Sequence, residues 1–128
     1  GEKVNNILNS DNEIFVLSIT IAEVIKKVKR NGKDDKIAYE SIIKRAKIIE
    51  TIPRIAKEAG LLHAEMRKKF SQFGIVDALL IKTAKNIQAK ILTGDNHFKD
   101  FPEAIMLWLL KKSAKTDTYL TKPANSRW

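Results

Sequence analysis

The chain has 128 residues, a mass of 14.5 kDa and a formal net charge of +9, from 24 Lys and Arg against 15 Asp and Glu. This length suits one domain, and the absence of cysteine excludes disulfides, thiol nucleophiles and cysteine-held metal clusters. The longest apolar run, 105–110, is far shorter than the roughly 20 residues that span a bilayer. Because the first ten residues also lack a signal-peptide core, we expect a cytoplasmic protein that does not bind a membrane. The excess of positive charge favours a polyanionic partner.

The beginning of the chain predicts one strand followed by one helix. Residues 2–9 have the apolar spacing of a helix end, and the β-favouring apolar run 14–17 predicts a buried strand. Ser18 and Thr20 are N-cap candidates for the next helix, which has an apolar stripe and ends near Asn31.

Two further helices are predicted in the middle of the chain. Asp34 starts the first of them, whose inward-facing residues are Ile37, Ile42, Ile43, Ala46 and Ile49. Thr51 is the candidate cap of the second, with Pro53 in its first turn, and a turn over 71–74 follows it.

The second half predicts a helix over 75–88, strands over 90–93 and 104–110, and a turn around 97–101. Strands that alternate with helices indicate an α/β fold, here a three-layer α/β/α sandwich with a short central parallel sheet. The predicted strands are few for such a sheet, which suggests that its first strand is missing. We assign 1–110 to the domain and 111–128 to a polar C-terminal tail.

Three carboxylates stand apart from the charge-mixed surface: Glu23, Asp77 and Asp95. Each comes just after a predicted strand or at a helix start, and ligands of open α/β sheets bind at that edge. Carboxylates gathered together repel one another unless a cation neutralises them. Oxygen ligands favour a hard divalent ion, so the three acids predict a Mg²⁺ or Mn²⁺ site that acts on a phosphodiester.

Each of these acids also has a purely structural explanation. Asp77 suits the favourable dipole at a helix N-terminus, and Asp95, which follows Gly94, suits a turn. Glu23 lies three residues after Thr20, as in a capping box. The argument for a metal site therefore depends on the three acids together.

Three segments of the sequence resemble the PIN-domain ribonucleases, most closely the VapC-type toxins of prokaryotic toxin–antitoxin pairs. In 18–24, a strand ending in serine leads into a helix that carries the acid Glu23. In 76–84, Asp77 opens an alanine-containing helix, and in 91–98 a strand ends in Thr-Gly-Asp with an aromatic residue soon after. The order and spacing of these segments agree with the family over roughly residues 2–110.

The resemblance implies a Mg²⁺- or Mn²⁺-dependent ribonuclease that forms homodimers and is inhibited by a cognate antitoxin protein. It implies that Glu23, Asp77 and Asp95 are the catalytic, metal-binding acids, and that Ser18 and Thr93 support them. The nucleic-acid-binding candidates beside this site are Lys26, Lys27, Arg30 and His97.

The chain departs from the family at its beginning. Family members start with a strand that ends in a metal-site Asp, and no residue before Gly1 supplies it, so we expect that acid to be missing as well. Two functions stay open. The first is an RNA-cleaving toxin, and the second is a catalytically incomplete PIN-like module that binds RNA or protein.

Overall fold

The structure is a computed structural model that describes residues 12–93, 104–106 and 118–123. The described residues form five strands and four helices. The strands are β1 (Asn12–Leu17), β2 (Lys47–Ile49), β3 (Lys90–Thr93), β4 (Ala104–Met106) and β5 (Thr118–Pro123). The helices are α1 (Ser18–Arg30), α2 (Asp35–Arg45), α3 (Pro53–Arg67) and α4 (Ile75–Ile87). The predicted helix end over 2–9 and the predicted turn over 97–101 lie outside the described residues.

The five strands form one sheet in the order β2-β1-β5-β3-β4. β1 runs parallel to β2, with Leu17 beside Ile49, and β3 runs parallel to β4, with Thr93 beside Met106. β5 lies between β1 and β3 and runs antiparallel to both. Because β1 and β3 share an antiparallel neighbour, they run in the same direction, and their carboxyl ends lie at the same edge of the sheet.

The sheet is therefore mixed: the predicted parallel pairing holds for β1 with β2 and for β3 with β4, and β5 adds an antiparallel strand that was not predicted. Residues 118–123 fall within the segment predicted as a polar tail, yet they form the central strand. Leu120 and Thr121 are completely buried there. Both edges of β5 pair with neighbours, so β5 supplies partners for the backbone groups of β1 and β3 that face the gap between them.

The first two helices differ from the prediction at their ends. α1 begins at Ser18 directly after the N-cap Leu17, which provides no side-chain cap, so neither Ser18 nor Thr20 caps this helix. Asp34 caps α2 as predicted, accepting hydrogen bonds from two backbone N–H groups. α2 ends at Arg45 with Ala46 as its C-cap, because Lys47–Ile49 then pair with β1 as the strand β2 instead of continuing the helix.

The predicted inward face of α2 was partly wrong. Ile42 and Ala46 are half-buried, but the side chains of Ile37 and Ile43 are exposed, and Ile49 belongs to β2. α2 has no fully buried residue. It therefore packs against α1 through a shallow contact and depends more than the other helices on its cap.

The last two helices agree more closely with the sequence. Pro53 opens α3, although the N-cap is Ile52 and not Thr51. α4 begins at Ile75 as predicted and ends at Ile87, where Gln88 takes the left-handed conformation that closes many helices. The strand β3 has the predicted bounds, and β4 begins at the predicted Ala104.

The core lies between one face of the sheet and the pair of helices α3 and α4. Leu17, Ile91 and Leu120 come from three adjacent strands and are completely buried in this cluster with Ala59 of α3 and Ile81 of α4. Because side chains alternate along a strand, the buried Ile14 and Val16 of β1 lie on the opposite face. Both faces of the sheet are therefore covered, which confirms the predicted α/β class. None of the four described helices is both long and apolar enough to cross a membrane.

Candidate carboxylate site

The carboxyl ends of β1 and β2 bring a hydroxyl and a carboxylate together. Leu17 and Ile49 are the last pair in this register, and Ser18 and Glu50 follow them directly. The Ser18 hydroxyl donates a hydrogen bond of 3.2 Å to Oε2 of Glu50. Ser18 is thus at the predicted edge of the sheet, and its partner is an acid that the sequence analysis did not select.

Glu50 was missed because its strand was missed. Ile49 fits the spacing of the helical face that begins at Ile37, so this segment predicts the continuation of a helix. An alternative signal is present: two adjacent β-branched residues followed by an acid also describe a short strand that ends at the sheet edge.

Glu23 lies in the second turn of α1, and it is more exposed than the apolar stripe of that helix. The stripe residues, which are Ile21, Val24, Ile25 and Val28, are half-buried, whereas Glu23 is exposed. The capping-box explanation for Glu23 was wrong as well, because Thr20 lies inside the helix and not at its N-cap. No capping role therefore accounts for Glu23.

The pKa of Glu23 is raised above its ordinary value, for two reasons. The larger cause is that the protein partly surrounds the carboxylate, although the residue as a whole is exposed. The second cause is the negative charge of Asp77, while the positive charge of Lys26 acts in the opposite direction. Two of the three predicted acids, carried by different helices, thus lie close enough to repel each other.

Asp77 lies in the first turn of α4 and is half-buried. Its Oδ2 accepts a hydrogen bond of 2.8 Å from the backbone N–H of Gly74, the N-cap residue. The structural explanation offered by the sequence is therefore correct for this acid. The same hydrogen bond also orients the carboxylate, so Asp77 stabilises the start of α4 and its carboxylate is held near Glu23.

Thr93 is the last residue of β3, where it pairs with Met106 and Thr118. This position is at the same edge of the sheet as Ser18, because β1 and β3 run in the same direction. Asp95 and His97 lie outside the described residues.

The donor chemistry of the described acids suits a hard divalent cation. Glu23 and Asp77 offer carboxylate oxygens, the ligands that Mg²⁺ and Mn²⁺ prefer. The repulsion that raises the pKa of Glu23 is the kind that such an ion relieves. Within residues 12–93, 104–106 and 118–123, no three Asp, Glu or His side chains are grouped closely enough to hold a metal. Glu23 and Asp77 are therefore two candidate ligands among the described residues.

The predicted nucleic-acid contacts on α1 lie in its last two turns. Lys26 and Arg30 are exposed, and Lys27 is half-buried. Lys26 acts electrostatically on Glu23, which places this part of the positive surface beside the carboxylates.

Comparison with known proteins gives one match. The family model of the PIN domain matches residues 1–104, which cover β1 to β3, all four helices and the first residue of β4. The searches of curated proteins and of solved structures gave no match.

Proposed function

Because the chain belongs to the PIN domain family, whose members are generally nucleases, we propose that it is a Mg²⁺- or Mn²⁺-dependent endoribonuclease. The observation that carries this proposal is the electrostatic interaction between Glu23 and Asp77. Glu23 lies on α1 and Asp77 on α4, and the negative charge of Asp77 destabilises the charged form of Glu23. Repulsion between two carboxylates opposes folding and a bound cation relieves it, so a role in binding a cation explains why the two acids lie together.

In this proposal, Glu23 and Asp77 are two ligands of the ion and Asp95 is a third. A bound divalent ion supplies stabilisation of the charge that develops on the scissile phosphate, and it lowers the pKa of water. The chain's own part is to hold its acids in place before the substrate arrives. The Gly74 N–H orients Asp77, and Ser18 and Thr93 hold backbone positions at the same edge of the sheet.

The positive surface of α1 has the complementary task of holding the RNA backbone. Lys26 and Arg30 are exposed within the helix that carries Glu23, so a phosphate bound there lies near the carboxylates. Lys27 and His97 are further candidates. The net charge of +9 adds long-range attraction for any polyanion.

The biological role that we propose is that of a toxin in a toxin–antitoxin pair, acting in the cytoplasm as a homodimer. The motifs around Glu23, Asp77 and Asp95 support it, since they resemble the VapC-type members of the family. In this role an antitoxin protein covers the positive surface and keeps RNA away from it.

Cleavage of a single-stranded RNA in the presence of Mn²⁺ tests the enzymatic proposal. We expect Asp77→Asn and Glu23→Gln each to lower the cleavage rate at least 100-fold, because each loses a charged ligand in a site that depends on electrostatic stabilisation. EDTA should abolish cleavage. Glu40→Gln is the matched control, since Glu40 is an exposed acid on α2, and it should cleave as the unmodified chain does.

The alternative is a module that binds RNA or protein without cleaving it. RNA binding at low salt without any Mn²⁺-dependent cleavage would support this alternative and contradict the proposed activity.

A further inference from the structure

β5 is the strand that joins the two halves of the sheet. In the described part of the chain, the pair β1–β2 and the pair β3–β4 have no direct strand pairing with each other, and each is paired to β5. Ser18 and Glu23 follow β1, whereas Thr93 ends β3. The candidate site is therefore built from two halves, and the backbone hydrogen bonds that connect them run through β5.

Two neighbouring side chains of β5 extend this connection beyond the backbone. Thr121 is completely buried, and its hydroxyl donates a hydrogen bond of 3.0 Å to the backbone oxygen of Glu13 in β1. Lys122 points to the opposite face, where its Nζ lies 5.6 Å from the centre of the Phe15 ring of β1. Both residues thus hold β5 to the strand that leads into the helix of Glu23.

Lys122 makes a second contact, and this one reaches α4. Its Nζ donates a hydrogen bond of 3.1 Å to the backbone oxygen of Ile87, the last residue of that helix. Carbonyl groups in the last turn of a helix have no partner within the helix, and a positive charge at this end is favourable. Lys122 therefore binds the carboxyl end of α4 while it rests on β1.

Asp77 lies at the other end of the same 13-residue helix. A helix of this length is a rod of about 20 Å, so any tilt that follows a change at its carboxyl end also moves its amino end relative to β1 and α1. One side chain thus contacts the element that leads to Glu23 and the element that carries Asp77.

We propose that Lys122 is a positioning residue of the carboxylate site, and that β5 is the strand through which it acts. This inference rests on the proposed function for its chemical meaning. Its structural part is that the distance between α1 and the beginning of α4 depends on Lys122. When the ammonium group is lost, the carboxyl end of α4 loses this hydrogen bond, and the distance between Glu23 and Asp77 becomes more variable.

The absence of cysteine from the chain allows a direct measurement of that separation. Spin labels attached through Ala22→Cys on α1 and Ile75→Cys on α4 occupy exposed positions next to the two acids. Pulsed electron paramagnetic resonance then gives the distribution of distances in the full chain without any metal. We expect Lys122→Met to broaden or shift this distribution, and Lys122→Arg, which keeps a positive donor, to restore it.

Lys57→Met is the matched control, because it removes the same charge from an exposed position on α3, and it should leave the distribution unchanged. Circular dichroism confirms that each variant is folded. If Lys122→Met does not fold, Lys122→Gln takes its place, since it removes the ammonium charge and keeps a polar side chain at this position. A distribution that is identical in the unmodified chain and the folded variant overturns the inference.

The Mn²⁺ affinity of the unlabelled protein, measured by electron paramagnetic resonance, tests whether the distance between α1 and α4 matters for ion binding at the carboxylate site. We expect Lys122→Met to weaken binding about five-fold, the usual size of one lost hydrogen bond, and Lys57→Met to have no effect. If the unmodified chain binds no Mn²⁺, the proposed function fails, and the distance distribution still decides whether Lys122 positions the two helices.

Discussion

Glu23 is the residue whose ionisation depends most clearly on its surroundings. Burial of the carboxylate and the charge of Asp77 both raise its pKa, so its charged form is less favourable in the folded chain than in the unfolded chain. When the pKa of a group is higher in the folded chain than in the unfolded chain, its contribution to the free energy of unfolding is fully present below the unfolded pKa. That contribution is lost as the pH rises through the folded pKa. At neutral pH, Glu23 therefore destabilises the fold slightly.

We expect Glu23→Gln to be more stable than the unmodified chain at pH 7, by less than about 1 kcal/mol because solvent screens an exposed carboxylate. The gain should disappear below pH 4, where Glu23 is protonated in both states. Urea unfolding in EDTA at the two pH values measures this, and Asp77→Asn should reduce the gain. Glu40→Gln, which removes an exposed acid from α2, is the control. If Glu23→Gln is no more stable at pH 7 than the unmodified chain, the proposed destabilisation by Glu23 is wrong.

The site residues illustrate how far the sequence alone could lead. Glu23 and Asp77 were selected because they follow a strand or open a helix, and the structure brings these two together. Glu50 was missed because Ile48 and Ile49 fit two patterns equally well. The role of Lys122 was beyond reach, since its partners Phe15 and Ile87 are distant in sequence and share no local pattern with it.

Local signals also explain which elements were predicted correctly. α4 has its own apolar periodicity, and β3 is bounded by turn residues, so both were found with nearly correct ends. β5 has no such signal, because Leu120 is its one strongly apolar aliphatic residue. What makes this segment a strand is pairing with residues more than a hundred positions earlier in the chain, such as Glu13 with Lys122.

α2 is the element that depends most on its cap, because none of its residues is fully buried. Asp34 accepts hydrogen bonds of 2.9 and 3.2 Å from the N–H groups of Lys36 and Ile37. We expect Asp34→Ala to lower the free energy of unfolding by about 1 kcal/mol, the usual cost of a lost N-cap. Faster amide exchange at Lys36 and Ile37 should accompany this loss.

Asp35→Ala is the control for this variant. Asp35 forms an ion pair of 3.8 Å with Lys29, and exposed pairs contribute little, so we expect a loss of at most about 0.5 kcal/mol. Equal losses for the two variants would show that charge near the helix start matters and that the specific cap does not.

At the scale of the whole molecule, the excess of positive charge determines how RNA binding responds to salt. Each phosphate neutralised on a single strand contributes a slope of about −0.7 to the logarithm of affinity against the logarithm of salt concentration. We expect Arg30→Ala to make the slope shallower by about 0.7, and Lys57→Ala, on α3, to change it less. Fluorescence anisotropy with a labelled RNA measures this, and an unchanged slope for Arg30→Ala would remove α1 from the RNA-binding surface.

The central place of β5 also affects the order in which the molecule is assembled during synthesis. The ribosome produces β5 after every other described strand, about 5–20 s after β1 at ordinary rates of translation. Until then, the backbone groups of β1 and β3 that face the gap have no strand between them, and the nascent chain holds an open sheet. The two halves of the carboxylate site are consequently joined only once β5 has been made, so the site is not complete while the four strands before it are being synthesised.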